Sequence, residues 1–194
     1  MNSEEVLDIF RECGAVIEGH VELTSGAHSN WYFQCALVLQ HPRHAQRLAV
    51  ALAGRFRGAG VELVASPAVG GIVLGQEIAR ILGVRAIFLE REGGAMALRR
   101  GFGVRPGEKV LAVEDVVTTG GSVREVADKL ASLGAEVVGV GCIVDRSGGG
   151  AEFGCRFESL AGVSVQKYDP SDCPLCKRGL PLSAPGSRKL SSGR

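Results

Sequence analysis

The sequence predicts an α/β fold with a central, mostly parallel sheet flanked by helices. Three observations carry that prediction. Short apolar runs recur at 61–65, 84–89, 109–113 and 137–144, as strands buried on both faces do. Helical patterns lie between them at 71–82 and 121–133, and each stops at a glycine, Gly83 or Gly134. Hydrophobic residues make up 45% of the 194, enough apolar surface for one core.

The elements follow in order. Asn2 and Glu5 match a capping box, and Val6, Ile9 and Phe10 keep helical spacing, so a helix is expected near 3–13. Residues 15–40 read as short strands around the turn cluster Thr24-Ser25-Gly26. Pro42 suits the first turn of a helix running to about Arg57. The run at 61–65 ends in Ser66-Pro67, and the helix from Gly71 follows. Residues 137–144 form the longest β-branched run, and a final strand is expected at 163–166. No internal repeat is visible. A single domain over 1–182 is expected, with a disordered tail at 183–194, where Ser, Gly, Arg and Lys replace apolar residues.

The connection from Leu89 to Lys109 breaks the rhythm. It is long, shows no helical pattern, and contains Gly93, Gly94, Gly101 and Gly103 with Arg91, Arg99 and Arg100. Long connections of this kind in compact domains act as lids; an ordinary exposed basic loop is the alternative.

Composition excludes several roles. The net charge is +1, from 22 basic and 21 acidic residues, so no electrostatic footprint for nucleic acid or an anionic membrane exists. No run approaches the ~20 apolar residues of a membrane span. The opening MNSEEVLDIF lacks the basic-then-apolar order of a secretory leader, and a cytoplasmic location is expected. Of six cysteines, Cys13, Cys35, Cys142 and Cys155 read as small core residues. Cys173 and Cys176 have the spacing of half a zinc site, but the sequence places no second close pair of ligands beside them. His28, a loop histidine, is read as structural rather than as an acid–base or ligand residue, and Trp31 and Tyr32 as packing residues.

The segment that carries chemistry runs from Val110 to Ser122. A buried strand delivers Glu114 and Asp115 at its carboxyl end, and Thr118-Thr119-Gly120-Gly121-Ser122 then opens a helix. Ligands of open α/β sheets bind beyond the carboxyl ends of strands. A helix N-terminus offers free N–H groups to phosphate, glycines let the backbone wrap it, and hydroxyls add donors. No Lys-Ser/Thr follows the glycines, so this is not a triphosphate loop. Two carboxylates would repel further phosphate but accept bonds from sugar hydroxyls. A phosphorylated ribose satisfies both halves. A capped helix after two solvated acids is the bland alternative.

The run Glu114–Ser122 resembles the PRPP-binding signature of type I phosphoribosyltransferases. Other segments resemble the orotate-specific members of that family: Glu22-Leu-Thr-Ser25-Gly26-Ala-His28-Ser29 with Tyr32, Pro67-Ala-Val-Gly70-Gly71, Leu98-Arg99-Arg100-Gly101-Phe102, and Val144-Asp145-Arg146-Ser147-Gly148. Cys173-Pro-Leu-Cys176 with Gly179 and Pro181 resembles the C-terminus of a bacterial branch, and the likeness spans about 14–188.

The resemblance implies the type I phosphoribosyltransferase fold, with an N-terminal hood at about 1–40 and a mobile lid at about 90–108. It implies transfer of phosphoribose from PRPP to orotate, giving orotidine 5′-phosphate and pyrophosphate in pyrimidine synthesis. Mg2+ would enter with PRPP, with no direct protein ligand assigned. By matched position, Glu114 and Asp115 would hold the ribose hydroxyls. Thr118, Thr119, Gly120, Gly121 and Ser122 would hold the 5′-phosphate, with Val116, Val117 and Arg91 also at PRPP. Thr118 and Arg146 would contact orotate. Arg146 follows a strand end, and a guanidinium suits a carboxylate; a surface arginine paired with Asp145 is the alternative.

The chain also departs from the family pattern. Thr24 and Gly70 stand where many members have lysine, and the lid has no lysine. Arginine cannot donate a proton at neutral pH, so Arg99 and Arg100 are expected to stabilise charge, with Asp115, as the catalytic set. The family's two-fold dimer implies a homodimer whose lid covers the neighbour's site. A transferase for a neutral base and a PRPP-sensing, nucleic-acid-binding regulator are the rivals. Arg146 argues against the first, and the charge balance and the lid against the second.

Overall fold

The computed structural model describes residues 1–23 and 25–185. Thr24 and most of the expected tail, 186–194, lie outside the described residues. The chain forms α1 (Ser3–Glu12), β1 (Val16–Glu22), β2 (His28–Phe33), α2 (Cys35–Leu39), α3 (Pro42–Arg55), β3 (Leu63–Pro67), α4 (Gly71–Leu82), β4 (Arg85–Glu92) and β5 (Ala95–Leu98). It continues through β6 (Lys109–Val117), α5 (Gly121–Ser132), β7 (Glu136–Asp145), β8 (Phe157–Gly162), β9 (Lys167–Tyr168) and α6 (Pro174–Lys177).

The main sheet has the order β5-β4-β3-β6-β7-β8, with only the edge strand β5 antiparallel. Period-two alternation divides the core. On β6, Leu111 and Val113 face a cluster with Leu48, Leu52, Leu74 and Ile78 of α3 and α4. Val110 and Ala112 face the other side, with Val123, Val126 and Leu130 of α5. Both faces are covered, which is why these strands read as unbroken apolar runs. The two apolar stripes are built from many fully buried side chains, each worth about 1.5–3 kcal/mol.

The capping box is made in full: Asn2 accepts from the Glu5 N–H at 2.9 Å, and Glu5 accepts from the Asn2 N–H at 2.6 Å. Helix α4 has the expected bounds, with Gly83 closing it. Residues 15–40 hold the two strands expected there, and also α2, whose five apolar or sulfur-bearing residues give no amphipathic signal.

Two expectations are corrected. Residues 163–166 are not a strand. The last strand of the main sheet is β8, where Leu160 and Ala161 are buried and paired in parallel with β7. Val163 then leaves the sheet, its N–H donating to the Asp145 carbonyl at 2.8 Å. The connection after Leu89 is not structureless either. Strand β4 runs to Glu92, turns at Gly93-Gly94 and pairs back through β5, so the irregular part is 99–108. A two-residue Gly-Gly turn joining antiparallel strands is a hairpin signal, here hidden by the charges of 90–92.

A second sheet, β1-β2-β9, stands over the N-terminal region. The chain's C-terminal segment returns to it. Ser183 bridges Val21, donating to the His20 carbonyl at 2.9 Å and accepting from the Glu22 N–H at 2.8 Å.

Candidate active site

The candidate site is built at the carboxyl ends of β3, β6 and β7. Strand β6 carries Glu114 and Asp115 past the buried Val113, and β7 ends one residue before Arg146. The Arg146 N–H donates to the Val117 carbonyl at 2.8 Å, which ties the two strand ends together. The structure therefore gathers Glu114, Asp115, Thr118 and Arg146 at the carboxyl ends of these two neighbouring strands.

Between β6 and α5 the chain turns through Thr118, Thr119 and Gly120. Gly120 has φ 76, the left-handed region, and a β-carbon there would stand 2.8 Å from the Phe153 ring. Both facts demand glycine. The turn leaves Thr118, Thr119 and Gly121 exposed, at a helix start with no side-chain cap. Within the turn the Gly121 N–H makes only a long bond, to Thr119 Oγ1 at 3.4 Å, while the Gly120 carbonyl accepts from the Arg124 N–H at 2.9 Å as the helix begins. Free N–H groups at the positive end of a helix are what an anion needs.

The acids sit in a half-buried pair. Burial, with the neighbouring Asp115 charge, pushes Glu114 up to about 7, against a lowering bond from the Val123 N–H. Burial also raises Asp115, against lowering bonds from the backbone N–H groups of Val116 and of Asp115 itself. The Val116 N–H donates to Asp115 Oδ1 at 3.0 Å, which fixes the carboxylate's direction. That carboxylate leans over Gly70: a β-carbon on residue 70 would meet Asp115 Oδ1 at 2.9 Å and Oδ2 at 3.0 Å. Gly70 immediately precedes α4, and the preceding Ala68–Val69 peptide is cis.

Arg146 is not paired with Asp145. Asp145 Oδ1 accepts instead from the Ser147 N–H at 2.8 Å. Among the described residues Arg146 has no carboxylate partner, and its Nε is buried without a hydrogen bond. Its guanidinium lies 5.7 Å from the centre of the Phe33 ring on β2. Burial pulls Arg146 below the ordinary arginine range, partly offset by Cys35 and Tyr32. A half-buried guanidinium beside an aromatic face, with an unsatisfied Nε–H, has the chemistry to receive a planar anion.

The lid arginines are occupied within the chain. Arg91 makes two bonds to Glu125 at 3.0 and 3.1 Å, Arg100 makes two to Glu90 at 2.8 Å each, and Arg99 lies 3.6 Å from Glu92. All these pairs are solvent-exposed, so they are weak and exchangeable. Arg100 is also held at φ 58, a conformation costly for a side chain of this size.

One grouping of side chains leaves no local mark in the sequence. His28 is not isolated: it lies with His20, Cys173 and Cys176, their ligand atoms all within 4.8 Å of one another. The partners of the Cys pair stand about 150 residues away in sequence, so no local spacing reveals them.

Comparison with known proteins places the chain in a family. Residues 37–152 match the phosphoribosyl transferase domain family. The orotate phosphoribosyltransferase of Desulforamulus reducens is 59% identical over 98% of this chain and the whole of its own length. That of Pelotomaculum thermopropionicum is 54% identical, with 98% and 100% covered. The chain belongs to the orotate phosphoribosyltransferase family. Among solved structures, the family member from Aeropyrum pernix superposes with a TM-score of 0.69 at 26% identity, covering 81% of this chain and 93% of that one. The matched domain takes in Gly70, the lid, Glu114 to Ser122 and Arg146. It leaves out α1, both strands of the β1–β2 hairpin and the C-terminal segment beyond 152.

Proposed function

We propose that the chain transfers the 5-phosphoribosyl group from PRPP to orotate, giving orotidine 5′-phosphate and pyrophosphate in de novo synthesis of UMP. The observation that carries this reading is the convergence of a carboxylate pair, an open helix N-terminus and a half-buried guanidinium without a carboxylate partner among the described residues, all at the carboxyl ends of β6 and β7.

Each part has a job. The turn 118–122, exposed at Thr118, Thr119 and Gly121, binds the 5′-phosphate through N–H and hydroxyl donors. Glu114 and Asp115, ionised, accept from the 2′ and 3′ hydroxyls. Arg146, with Thr118, binds the orotate carboxylate and so fixes the base with its attacking nitrogen towards the anomeric carbon. As the glycosidic bond to pyrophosphate lengthens, positive charge grows on the sugar, and the half-buried carboxylates stabilise it. Mg2+ fits this donor set: Asp115 is a hard oxygen donor over a residue without a β-carbon and would face an ion carried in with PRPP. When bound, it makes pyrophosphate a better leaving group.

The lid supplies positive charge without a proton donor. Arg99 and Arg100 would exchange their exposed carboxylates for pyrophosphate oxygens and exclude water as the lid closes. Arg91, on β4, adds a further cation for PRPP. The working unit is a homodimer in which the lid serves the neighbour's site. The enzyme acts in the cytoplasm.

Complementation is the test. The gene should restore growth without added pyrimidine to cells lacking the orotate-to-orotidylate step, and Asp115→Asn should not. Failure of a well-expressed chain to restore growth would count against the reading.

A further inference from the structure

We propose that His20, His28, Cys173 and Cys176 form a closed structural zinc site that staples the N-terminal hairpin to the C-terminal segment. It is separate from the substrate site and does not depend on it.

The geometry is that of four ligands around one point. His20 Nε2 lies 2.9 Å from His28 Nδ1 and 3.6 Å from each of the two sulfurs, and Cys176 Sγ lies 3.3 Å from His28 Nδ1. A tetrahedral ion with bonds of about 2.0–2.3 Å sets ligand atoms roughly 3.3–3.8 Å apart. Ordinary hydrogen bonding does not account for the cluster. One ring nitrogen carries one proton or one lone pair, yet His20 Nε2 has three polar neighbours at once.

The tautomer is also set for a metal. His20 Nδ1 lies 2.9 Å from the Leu180 carbonyl oxygen, which can only accept. Nδ1 therefore carries the proton, and Nε2 presents its lone pair to the centre of the cluster. A backbone carbonyl on the far nitrogen is the usual support of a zinc-bound histidine.

The chain prepares each half separately. His20 and His28 stand on adjacent antiparallel strands, β1 and β2. Cys173 caps α6 and Cys176 lies in its single turn, so an i, i+3 spacing points both sulfurs one way. His20, His28 and Cys173 are buried, and all six cysteines are free thiols. Two nitrogens and two sulfurs in a closed tetrahedral set suit zinc, not magnesium or calcium. On binding, the two thiol protons go to solvent, and the ion's two charges are balanced by two thiolates, so a neutral unit is buried.

The site meets a structural need. Strand β9 contributes only His28↔Tyr168 and Ser29↔Lys167 to the small sheet, and α6 is one turn long. Neither buries enough apolar surface to hold the C-terminal segment in place.

The experiment is metal analysis of the full-length, untagged protein purified from zinc-supplied cells without chelator. About one zinc per chain is expected to survive gel filtration. Replacement by cobalt should give the visible bands of a tetrahedral ion and near-ultraviolet thiolate-to-cobalt charge transfer. Cys176→Ser should lose the zinc and melt at a lower temperature, whereas His41→Ala, outside the cluster, should keep it. Wild-type protein without zinc, a Cys173–Cys176 disulfide in its place, or full zinc retention by Cys176→Ser would each overturn the proposal. Wild-type metal content decides the matter even if Cys176→Ser fails to fold.

Discussion

The carboxylate of Asp115 occupies the space that a side chain on residue 70 would need: a β-carbon at Gly70 would lie 2.9 Å from Asp115 Oδ1. Gly70 has φ −57 and ψ −42, so alanine meets no backbone strain there. Gly70→Ala should leave the melting temperature within a few degrees of wild type. It should lower kcat/KM for PRPP by about 10–100-fold, the loss of ~1.4–2.7 kcal/mol of transition-state stabilisation. Steady-state kinetics beside a thermal melt check it; unchanged kinetics would show that the Asp115 carboxylate need not be held where the structure puts it.

Glu114 gives the site a pH dependence. Its carboxyl is pushed up to about 7, chiefly by burial, from an ordinary 4.5. Between those values the folded protein holds a proton that the unfolded chain has released, so this group's contribution to stability falls as pH rises from 4.5 to 7. Binding sugar hydroxyls favours the ionised form, so PRPP affinity should rise with pH up to about 7 and then level off. Calorimetry at several pH values, in buffers of different ionisation enthalpy, should show a proton released on binding below pH 7 and none in Glu114→Gln.

Arg146 should act on the base and not on the sugar. Arg146→Ala should raise KM for orotate at least about 100-fold, the ~3 kcal/mol expected for a charge-assisted pair, with a much smaller change for PRPP. Arg146→Lys should restore little, because lysine lacks the planar fork that lies over Phe33. Equal rises in both constants would remove the carboxylate assignment.

The lid prediction concerns the dimer. A mixed dimer pairs a subunit carrying Arg99→Ala and Arg100→Ala with one carrying Asp115→Asn. If lids serve the neighbouring site, one site has both defects and the other neither, and activity should return to about half of wild type. If each lid serves its own site, no activity should return.

The longer helices α1, α3, α4 and α5 and the β6–α5 turn were legible in the sequence because each is a local signal, whereas α2 and α6 are too short to show a periodic stripe. Gly83 and Gly134 mark chain turns, and Glu114 to Ser122 runs in unbroken order. Strand β8 was not legible, because Glu158 and Ser159 interrupt the apolar pattern although Leu160 and Ala161 are buried. The pairing of β4 with β5 was hidden for a similar reason, since Arg91 and Glu92 lie where β4 runs on past β3 and is exposed, so charge is tolerated there. The contact between Gly70 and Asp115, and the joining of His20 and His28 to the cysteine pair, arise from tertiary folding, and no short window contains them.

The most direct test of the account is a spectrophotometric assay of the purified enzyme with PRPP and Mg2+, offering orotate, uracil, hypoxanthine and adenine in turn. Rapid, PRPP-dependent loss of orotate with equimolar pyrophosphate released is expected, and turnover of the three neutral bases lower by at least about 100-fold, because none presents a carboxylate to Arg146. Comparable turnover of any neutral base, or no consumption of orotate, would contradict it.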